Sequence, residues 1–279
     1  MVARWGMRAG FPKTLAAASL LAATLLGIAV PGPASGQDLL RYLDLKSDEF
    51  TKADLTRAEI EAALAAAGPA DIVDLSGRRL NGLDLSALDL RRSKLQAARL
   101  NNANLAGANL DGVVLDQAWA LDADLTGARL RGASLFATQL MGAKLDRADF
   151  SAARVAADLS RTSLIEARFD EANLSADMRN QSMGLMRGVL RSAKLDRASF
   201  VNANLGRAAL EFASLRGASL KGAKLNGAEL AGADLEGADV TDADFENADA
   251  TSARLVGLQG RRQARNFERM RNLDRAVLD

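Results

Sequence analysis

The residues of this chain that could do chemistry are mainly carboxylates, and two closely spaced pairs stand out. One alanine separates Asp122 from Asp124, and another separates Asp242 from Asp244. Such pairs could offer oxygen ligands to calcium, but calcium takes roughly six to eight oxygens. Neither pair lies in an EF-hand or in a glycine-rich nonapeptide loop. We therefore interpret both pairs as solvated acidic surface and predict no metal site.

The composition removes the usual catalytic groups. The 279 residues include no histidine and no cysteine, so the commonest general base and the thiolate nucleophile are missing. Serine is present, but it needs an adjacent base to become a nucleophile. The Gly217-Ala218 and Gly222-Ala223 pairs precede no helix, so they are not phosphate-binding loops. The sequence predicts a protein that is not an enzyme, with no cofactor and no small-molecule substrate.

Leucine or phenylalanine recurs at every fifth position through most of the chain. The structure that this period specifies must determine where the other side chains lie. Alanine commonly stands two residues earlier. The first uninterrupted run consists of Leu75, Leu80, Leu85, Leu90, Leu95, Leu100, Leu105, Leu110 and Leu115. A period of five fits neither an α-helix nor a β-strand. It predicts a chain that turns a corner every five residues, and hence a solenoid.

The repeated unit is similar to that of the pentapeptide-repeat family, A(D/N)LXX. It is present as Ala103-Asn104-Leu105, Ala123-Asp124-Leu125 and Ala233-Asp234-Leu235, among others. The resemblance covers residues 71–256. It implies an all-β fold, a right-handed, four-sided parallel β-helix in which each side is one pentapeptide and each coil is four. The central Leu/Phe and the preceding Ala should point inward, and the other three residues outward.

The first 36 residues differ from the rest. Three basic residues precede an uncharged apolar run, 15–30, which is followed by a short segment of Pro, Gly, Ala and Ser. This order is typical of a secretory signal peptide, with cleavage expected after Gly36. The alternative is an uncleaved membrane anchor, although the apolar run is short for a bilayer span. We expect a periplasmic or secreted protein.

Two cap regions are expected around the solenoid, and one lies at 37–70. Thr56 and Glu59 have capping-box spacing, and the alanine-rich segment after them predicts a helix at about 56–67 that covers the first coil. Residues 37–55 are open to two interpretations, as part of the cap or as an early start of the coil, because Leu40, Leu45, Phe50 and Leu55 already keep the five-residue period.

The second cap region is 257–279. There, apolar residues recur every three positions in an arginine-rich tail. A C-terminal cap is the simpler interpretation of this tail, and a basic docking tail is the alternative.

Irregularities in the repeat identify a candidate partner-binding face. The step from Val155 to Leu159 is one residue short, and the step from Leu174 to Leu185 is one too long. Counting four units per coil assigns one side to Leu80, Leu100, Ala120, Leu140, Leu159, a site near Asn180, Phe200, Leu220 and Val240. Unusual outward apolar residues accompany that side, and methionine and tryptophan are favoured at interfaces. The candidate partner-binding residues are Trp119, Leu121, Met141, Met183 and Met186. The competing interpretation is that Trp119 and the methionines only compensate for local packing.

A further pattern concerns charge. Between Leu225 and Ala253 there are eight acidic residues and no Lys or Arg, which predicts an acidic belt. The quinolone-resistance members of the family mimic DNA and act on topoisomerases, but the belt is short and a signal peptide would separate the protein from cytoplasmic enzymes. We predict an exported, non-enzymatic solenoid that acts as a protein-interaction or spacer module with an unknown protein partner. The alternatives are a DNA-mimicking topoisomerase modulator and, if the signal is retained, a membrane-tethered scaffold.

Overall fold

The protein is described by a computed structural model that covers residues 43–68, 70–176 and 186–279. Residues 45–279 form one compact unit, whose main part is a right-handed, four-sided parallel β-helix. The predicted fold class is thereby confirmed. The predicted signal segment 1–36 and the segment 177–185 lie outside the described residues.

Successive coils pair in parallel, and on each side one residue of a coil forms a β-bridge with one residue of the next coil. The first pairing is between strands β1 (Val73–Asp74) and β2 (Ser93–Lys94), with Val73 opposite Ser93. The same pattern then continues as single bridges along the solenoid, for example Asp124 with Lys144. Each central residue donates its N–H to the coil above, as Leu105 does to the Asp124 carbonyl at 2.6 Å. The short sides explain why strands are only one or two residues long.

The interior is a stack of leucines with alanines beside them. The central residues and the alanines two positions earlier are buried, as predicted from the repeat. On one side three phenylalanines replace leucine, and their rings stack nearly parallel, Phe150 on Phe169 at 4.7 Å and Phe169 on Phe200 at 4.9 Å. Burial of each such side chain contributes on the order of 2 kcal/mol. The ladder therefore offsets the ordering cost only as a whole.

The Asp or Asn before each leucine stabilises the corner that follows. The Asp124 carboxylate accepts a hydrogen bond from the Thr126 N–H at 2.9 Å, and Asp84, Asp239 and Asn173 make the same bond two residues ahead. This is an Asx-turn, which Asp and Asn favour. The second residue of the corner has positive φ, so the repeat needs a side chain that holds this bend.

The N-terminal cap contains two helices, α1 (Asp48–Thr51) and α2 (Arg57–Ala66). Helix α2 begins with the predicted capping box of Thr56 and Glu59. Its Ile60 is fully buried in the core of the solenoid, and Arg57 donates to the Asp84 carbonyl of the first coil at 3.0 Å. The predicted capping helix is confirmed. Residues 45–55 do not begin the coil, because they form α1 and an antiparallel bridge from Ala53 to Leu80.

The C-terminal tail covers the last coil while it continues the parallel pairing. Gln259, Arg265, Arg271 and Val277 pair with successive sides of the preceding coil, so each side of the tail has six residues instead of five. In the last two of these sides, the sixth residue is accommodated by a 3-10 helix, Phe267–Arg269 in one and Leu273–Arg275 in the other. Phe267 and Met270 fill the end of the core. The predicted C-terminal cap is confirmed.

The irregular region changes which residues share a side. Asp158 pairs with Gln139 below it and with Val189 above it. The coil between them is therefore longer than the others, and its extra residues lie after Asn173. The assignment of Phe200, Leu220 and Val240 to the side of Leu159 is wrong, because they lie above Phe169. The expected site near Asn180 lies outside the described residues. Because Asp158 pairs with Val189, the central residues above Leu159 are Leu190, Leu210, Leu230 and Ala250.

The expected acidic belt is neutralised by ion pairs. Every pair joins one of its carboxylates to a base from another coil or from the tail. These pairs are Arg187–Glu229, Arg216–Asp234, Lys221–Asp239, Arg254–Glu236, Arg269–Glu246 and Arg271–Asp249. The expected acidic residues are therefore largely paired, because bases distant in sequence lie one or two coils away. Each exposed pair contributes little stability, but together they remove the uniform negative surface.

Candidate functional site

The candidate partner-binding residues lie on the side whose central residues are Leu80, Leu100, Ala120, Leu140, Leu159, Leu190, Leu210, Leu230 and Ala250, here called face A. Trp119 and Leu121 flank Ala120, and Met141 lies one coil above Leu121. The structure thus brings Trp119, Leu121 and Met141 together. Met186 is at the end of the insertion, three coils from Trp119, and Met183 lies outside the described residues.

Trp119 is half-buried because another part of the chain covers it. Residues 47–54, here called the N-terminal strap, cross face A and place the Phe50 ring edge-on to Trp119 at 5.3 Å. The Arg99 guanidinium lies 5.4 Å from the Phe50 ring and 5.6 Å from the Trp119 ring. Arg99 also forms an ion pair with Glu49 at 2.6 Å. The most prominent aromatic group of the candidate face therefore has an intramolecular partner.

Two buried asparagines fix the strap to face A. Asn81 donates from its side-chain amide to the carbonyls of Glu49 at 3.0 Å and Lys52 at 2.9 Å. Its side-chain oxygen accepts from the Asn101 N–H. Asn101 in turn accepts from the Leu121 N–H at 3.0 Å. Both residues occupy outward places in the repeat yet are buried, because the strap shields them from water.

The remaining candidate residues differ in exposure. Leu121 is buried, with 9% of its surface exposed. Met141 and Met186 are half-buried, and the Met141 sulfur lies 2.6 Å from Nη2 of Arg161. Above the strap, face A therefore offers a modest apolar surface at Met141, beside the charged Arg161 side chain. Partner binding at these residues stays a prediction.

Farther along face A, an ion-pair cluster follows the insertion. Arg187 donates to both carboxylate oxygens of Glu229, at 2.7 and 2.8 Å, and Arg191 pairs with Glu211 at 2.9 Å. Burial raises the pKa of Glu229, but the hydrogen bonds from Arg187 outweigh it and hold that pKa below its ordinary value. Glu229 therefore stays ionised at neutral pH, and Arg187 fastens the end of the insertion to two coils through Glu229 and the Arg207 carbonyl.

The sequence comparison decides the family. Eight copies of the family model described as pentapeptide repeats match residues 73–105, 89–120, 108–151, 193–230 and 228–259. The chain belongs to the pentapeptide-repeat family. The matches to this pentapeptide-repeat protein omit 152–192, the part that contains the four-residue side and the insertion.

Solved structures of other pentapeptide-repeat proteins are similar to this one. HetL, involved in heterocyst differentiation regulation in Nostoc sp. strain PCC 7120, is 29% identical, with 80% of this chain and 94% of HetL covered and a TM-score of 0.44. QnrB1, a plasmid-mediated fluoroquinolone resistance protein, is 18% identical, with 76% and 94% covered and a TM-score of 0.33. A protein of the Arabidopsis thaliana thylakoid lumen is 21% identical, with 67% and 77% covered and a TM-score of 0.18. These overlays carry no argument about function. No curated protein matches the chain at a significant level.

Sequence reasoning missed the groups that hold the strap, namely Glu49, Phe50, Asn81, Arg99 and Asn101. The signal was present in part, because Asn81 and Asn101 are 20 residues apart and so occupy equivalent places in adjacent coils. Among the described residues, no cluster of three or more carboxylates could hold a metal ion. No helix within the described ranges is long and apolar enough to cross a membrane.

Proposed function

We propose that this protein is an exported, non-enzymatic solenoid that acts as a protein-interaction or structural spacer module. The observation that supports it best is the continuous ladder of paired coils, capped at both ends, whose core is filled with leucine and alanine. Such a ladder presents side chains in fixed columns along one axis, which suits an extended contact with a protein. The sequence lacks histidine and cysteine, which leaves few routes to acid–base or covalent catalysis.

Export is proposed from the basic and apolar segment before Gln37. Mass spectrometry of the purified protein from its native host tests this directly. The expected mature N-terminus is Gln37. A chain that keeps residues 1–36 and stays in the cytoplasm would contradict export, and one that keeps them in a membrane fraction would indicate a tethered scaffold.

Partner binding is proposed for the part of face A above the strap. Met141→Ala should weaken cross-linking to an extracytoplasmic protein while the melting temperature stays nearly unchanged, because Met141 is only half-buried and methionine is favoured at interfaces. Ile165→Ala is the matched control, since Ile165 is a half-buried apolar residue that does not lie on face A. Equal effects of the two substitutions would contradict a specific role for face A.

Trp119→Ala tests the original partner hypothesis less cleanly, because it also removes the contact with Phe50. If Trp119 serves the strap alone, the substitution should lower the stability of residues 47–54 and leave partner binding unchanged. If Trp119 contacts a partner, the substitution should reduce binding more than Met141→Ala does.

A further inference from the structure

The C-terminal tail forms a cleft that the proposed interaction function does not use. The cleft has a volume of about 550 Å³, within the range of small-molecule sites. Three guanidinium groups and one carboxylate contribute to its wall. The lining residues are Arg261, Arg262, Ala264, Asn266, Phe267, Glu268 and Arg269.

The arginines of this tail fall into two groups. Arg265 and Arg271 attach the tail to the preceding coil, because their guanidinium groups donate hydrogen bonds to the carbonyls of Asp242 and Asn247 at 3.1–3.3 Å. The three arginines of the cleft make no such backbone bonds in the described part of the chain. Arg261 and Arg269 make weaker contacts, with the Phe267 ring and with Glu246, and Arg262 makes neither kind of contact within the described ranges. The position of Arg262 beside two other arginines therefore calls for another explanation.

The charge of the cleft is poorly compensated. Arg261 approaches Glu268 only at 4.0 Å, and the Glu268 side chain is 81% exposed. Arg269 and Glu246 are 3.6 Å apart and both largely exposed. Arg262 has no ion-pair partner within the described ranges. Exposed pairs of this kind are weak. When both Glu268 and Glu246 are counted against the three arginines, an excess of about one positive charge remains.

The wall of the cleft is held rigidly. The Arg261 guanidinium lies over the Phe267 ring at 4.8 Å, and Phe267 is itself buried with its ring edge-on to Phe245 at 5.6 Å. Asn266 has a left-handed backbone, φ 54°, and its amide donates to the Asp244 carboxylate at 2.8 Å. A ligand would therefore meet an Arg261 guanidinium that is already positioned, which reduces the entropy cost of binding.

We propose that this arginine cleft binds a phosphate-bearing anion with at least two negative charges. Guanidinium groups bind phosphate oxygens through paired N–H donors, and the excess positive charge favours a dianion over a monoanion. The volume admits a group larger than a single phosphate, such as a polyphosphate or an organic phosphate. Because the attraction is between charges, added salt weakens binding.

Calorimetric titration with inorganic pyrophosphate at low ionic strength tests the proposal on the full chain. We expect one pyrophosphate per chain, with affinity reduced about tenfold or more by Arg262→Gln and by Arg269→Gln, because each removes a charge-assisted contact. Arg275→Gln is the matched control, since Arg275 is an exposed arginine of the same tail that does not line the cleft. It removes the same charge at a greater distance from the ligand. Because salt screens distant charges, the affinity should change by less than about twofold.

Two results would overturn the proposal. One is the absence of saturable heat from pyrophosphate, and the other is equal weakening by Arg275→Gln, which would indicate only non-specific attraction. Circular dichroism of each variant shows whether the tail still folds. If Arg269→Gln disturbs it, Arg262→Gln decides alone, because Arg262 makes no ion pair that its loss could break.

Sedimentation with vesicles identifies the source of the phosphate. Binding to phosphatidylglycerol vesicles but not to phosphatidylcholine vesicles, lost in Arg262→Gln and displaced by pyrophosphate, would support a lipid phosphate as the ligand. Saturable pyrophosphate binding without vesicle binding would support a free phosphate compound. Vesicle binding that is equal in wild type and Arg262→Gln would count against the cleft as the site.

Discussion

Replacement of Phe50 by alanine should detach the N-terminal strap from face A without unfolding the solenoid. Phe50 is 5% exposed and is packed between the Trp119 ring and the Arg99 guanidinium. Helix α1 has only four residues, so it has no stability of its own once its tertiary contacts are lost. The coils are held by their own ladder and should remain paired.

The magnitude follows from the contacts that are lost. Truncation of a buried phenylalanine to alanine typically costs about 3–5 kcal/mol, of which the edge-on contact with Trp119 supplies about 1 kcal/mol. The hydrogen bonds from Asn81 and the Arg99–Glu49 ion pair remain. A cost near 3 kcal/mol raises the open population of the strap on the order of 100-fold.

Trp119 reports this opening by its fluorescence. The chain has two tryptophans, so Trp5→Phe leaves Trp119 as the only one. In that background, Phe50→Ala should shift the emission to longer wavelength and increase quenching by acrylamide. Hydrogen exchange should also quicken at the Asp54 amide, which donates to the Arg79 carbonyl at 2.7 Å.

The matched control is Phe212→Ala. Phe212 is 71% exposed, so its truncation should leave the Trp119 emission unchanged and alter stability by less than about 0.5 kcal/mol. The reasoning would be refuted if Phe50→Ala left emission, quenching and exchange unchanged. It would equally be refuted if Phe50→Ala abolished the cooperative unfolding of the coils, because the strap would then be part of the solenoid core.

Three further predictions concern the coils. Phe169→Ala should lower the unfolding free energy by about 3–5 kcal/mol because it leaves a gap between two stacked rings, whereas Phe169→Leu should lose about 1 kcal/mol, since leucine is the ordinary residue of that place; urea unfolding distinguishes them. Leu105→Asp should abolish β-structure at ambient temperature, because Leu105 is fully buried and a carboxylate there has no partner; a soluble variant with wild-type circular dichroism and melting would disprove its inward position. Burial raises the pKa of Asp239, but hydrogen bonds from Thr241 and Lys221 outweigh this effect and hold that pKa below its ordinary value. Its contribution is therefore complete above about pH 4 and is lost as the pH falls through the lowered pKa. Asp239→Asn should accordingly reduce the difference in urea midpoint between about pH 7 and about pH 3, and an unchanged difference would show that Asp239 does not contribute.

Several features follow from local sequence alone. The five-residue period predicts which residues point inward, because each short side of the coil repeats the same backbone conformation and each neighbour along the chain is also a neighbour in space. Thr56 and Glu59 predict the start of α2 for a similar reason, since a capping box involves atoms only three residues apart. The candidate residues Trp119, Leu121 and Met141 could also be placed on one face by counting units, because the insertion lies beyond them.

Contacts across long stretches of chain could not be predicted in this way. Whether the insertion adds sides or loops out depends on which residue pairs with Asp158, and Val189 is 31 positions away. The sequence by itself determined the solenoid, its caps and its lack of histidine and cysteine chemistry, because those depend on local periodicity and composition. Only the tertiary structure decided that Phe50 covers Trp119, that bases of the tail and neighbouring coils neutralise the acidic residues, and that three arginines share a cleft. Each of these depends on which side chains come together once the coils have stacked, and that proximity has no period along the chain.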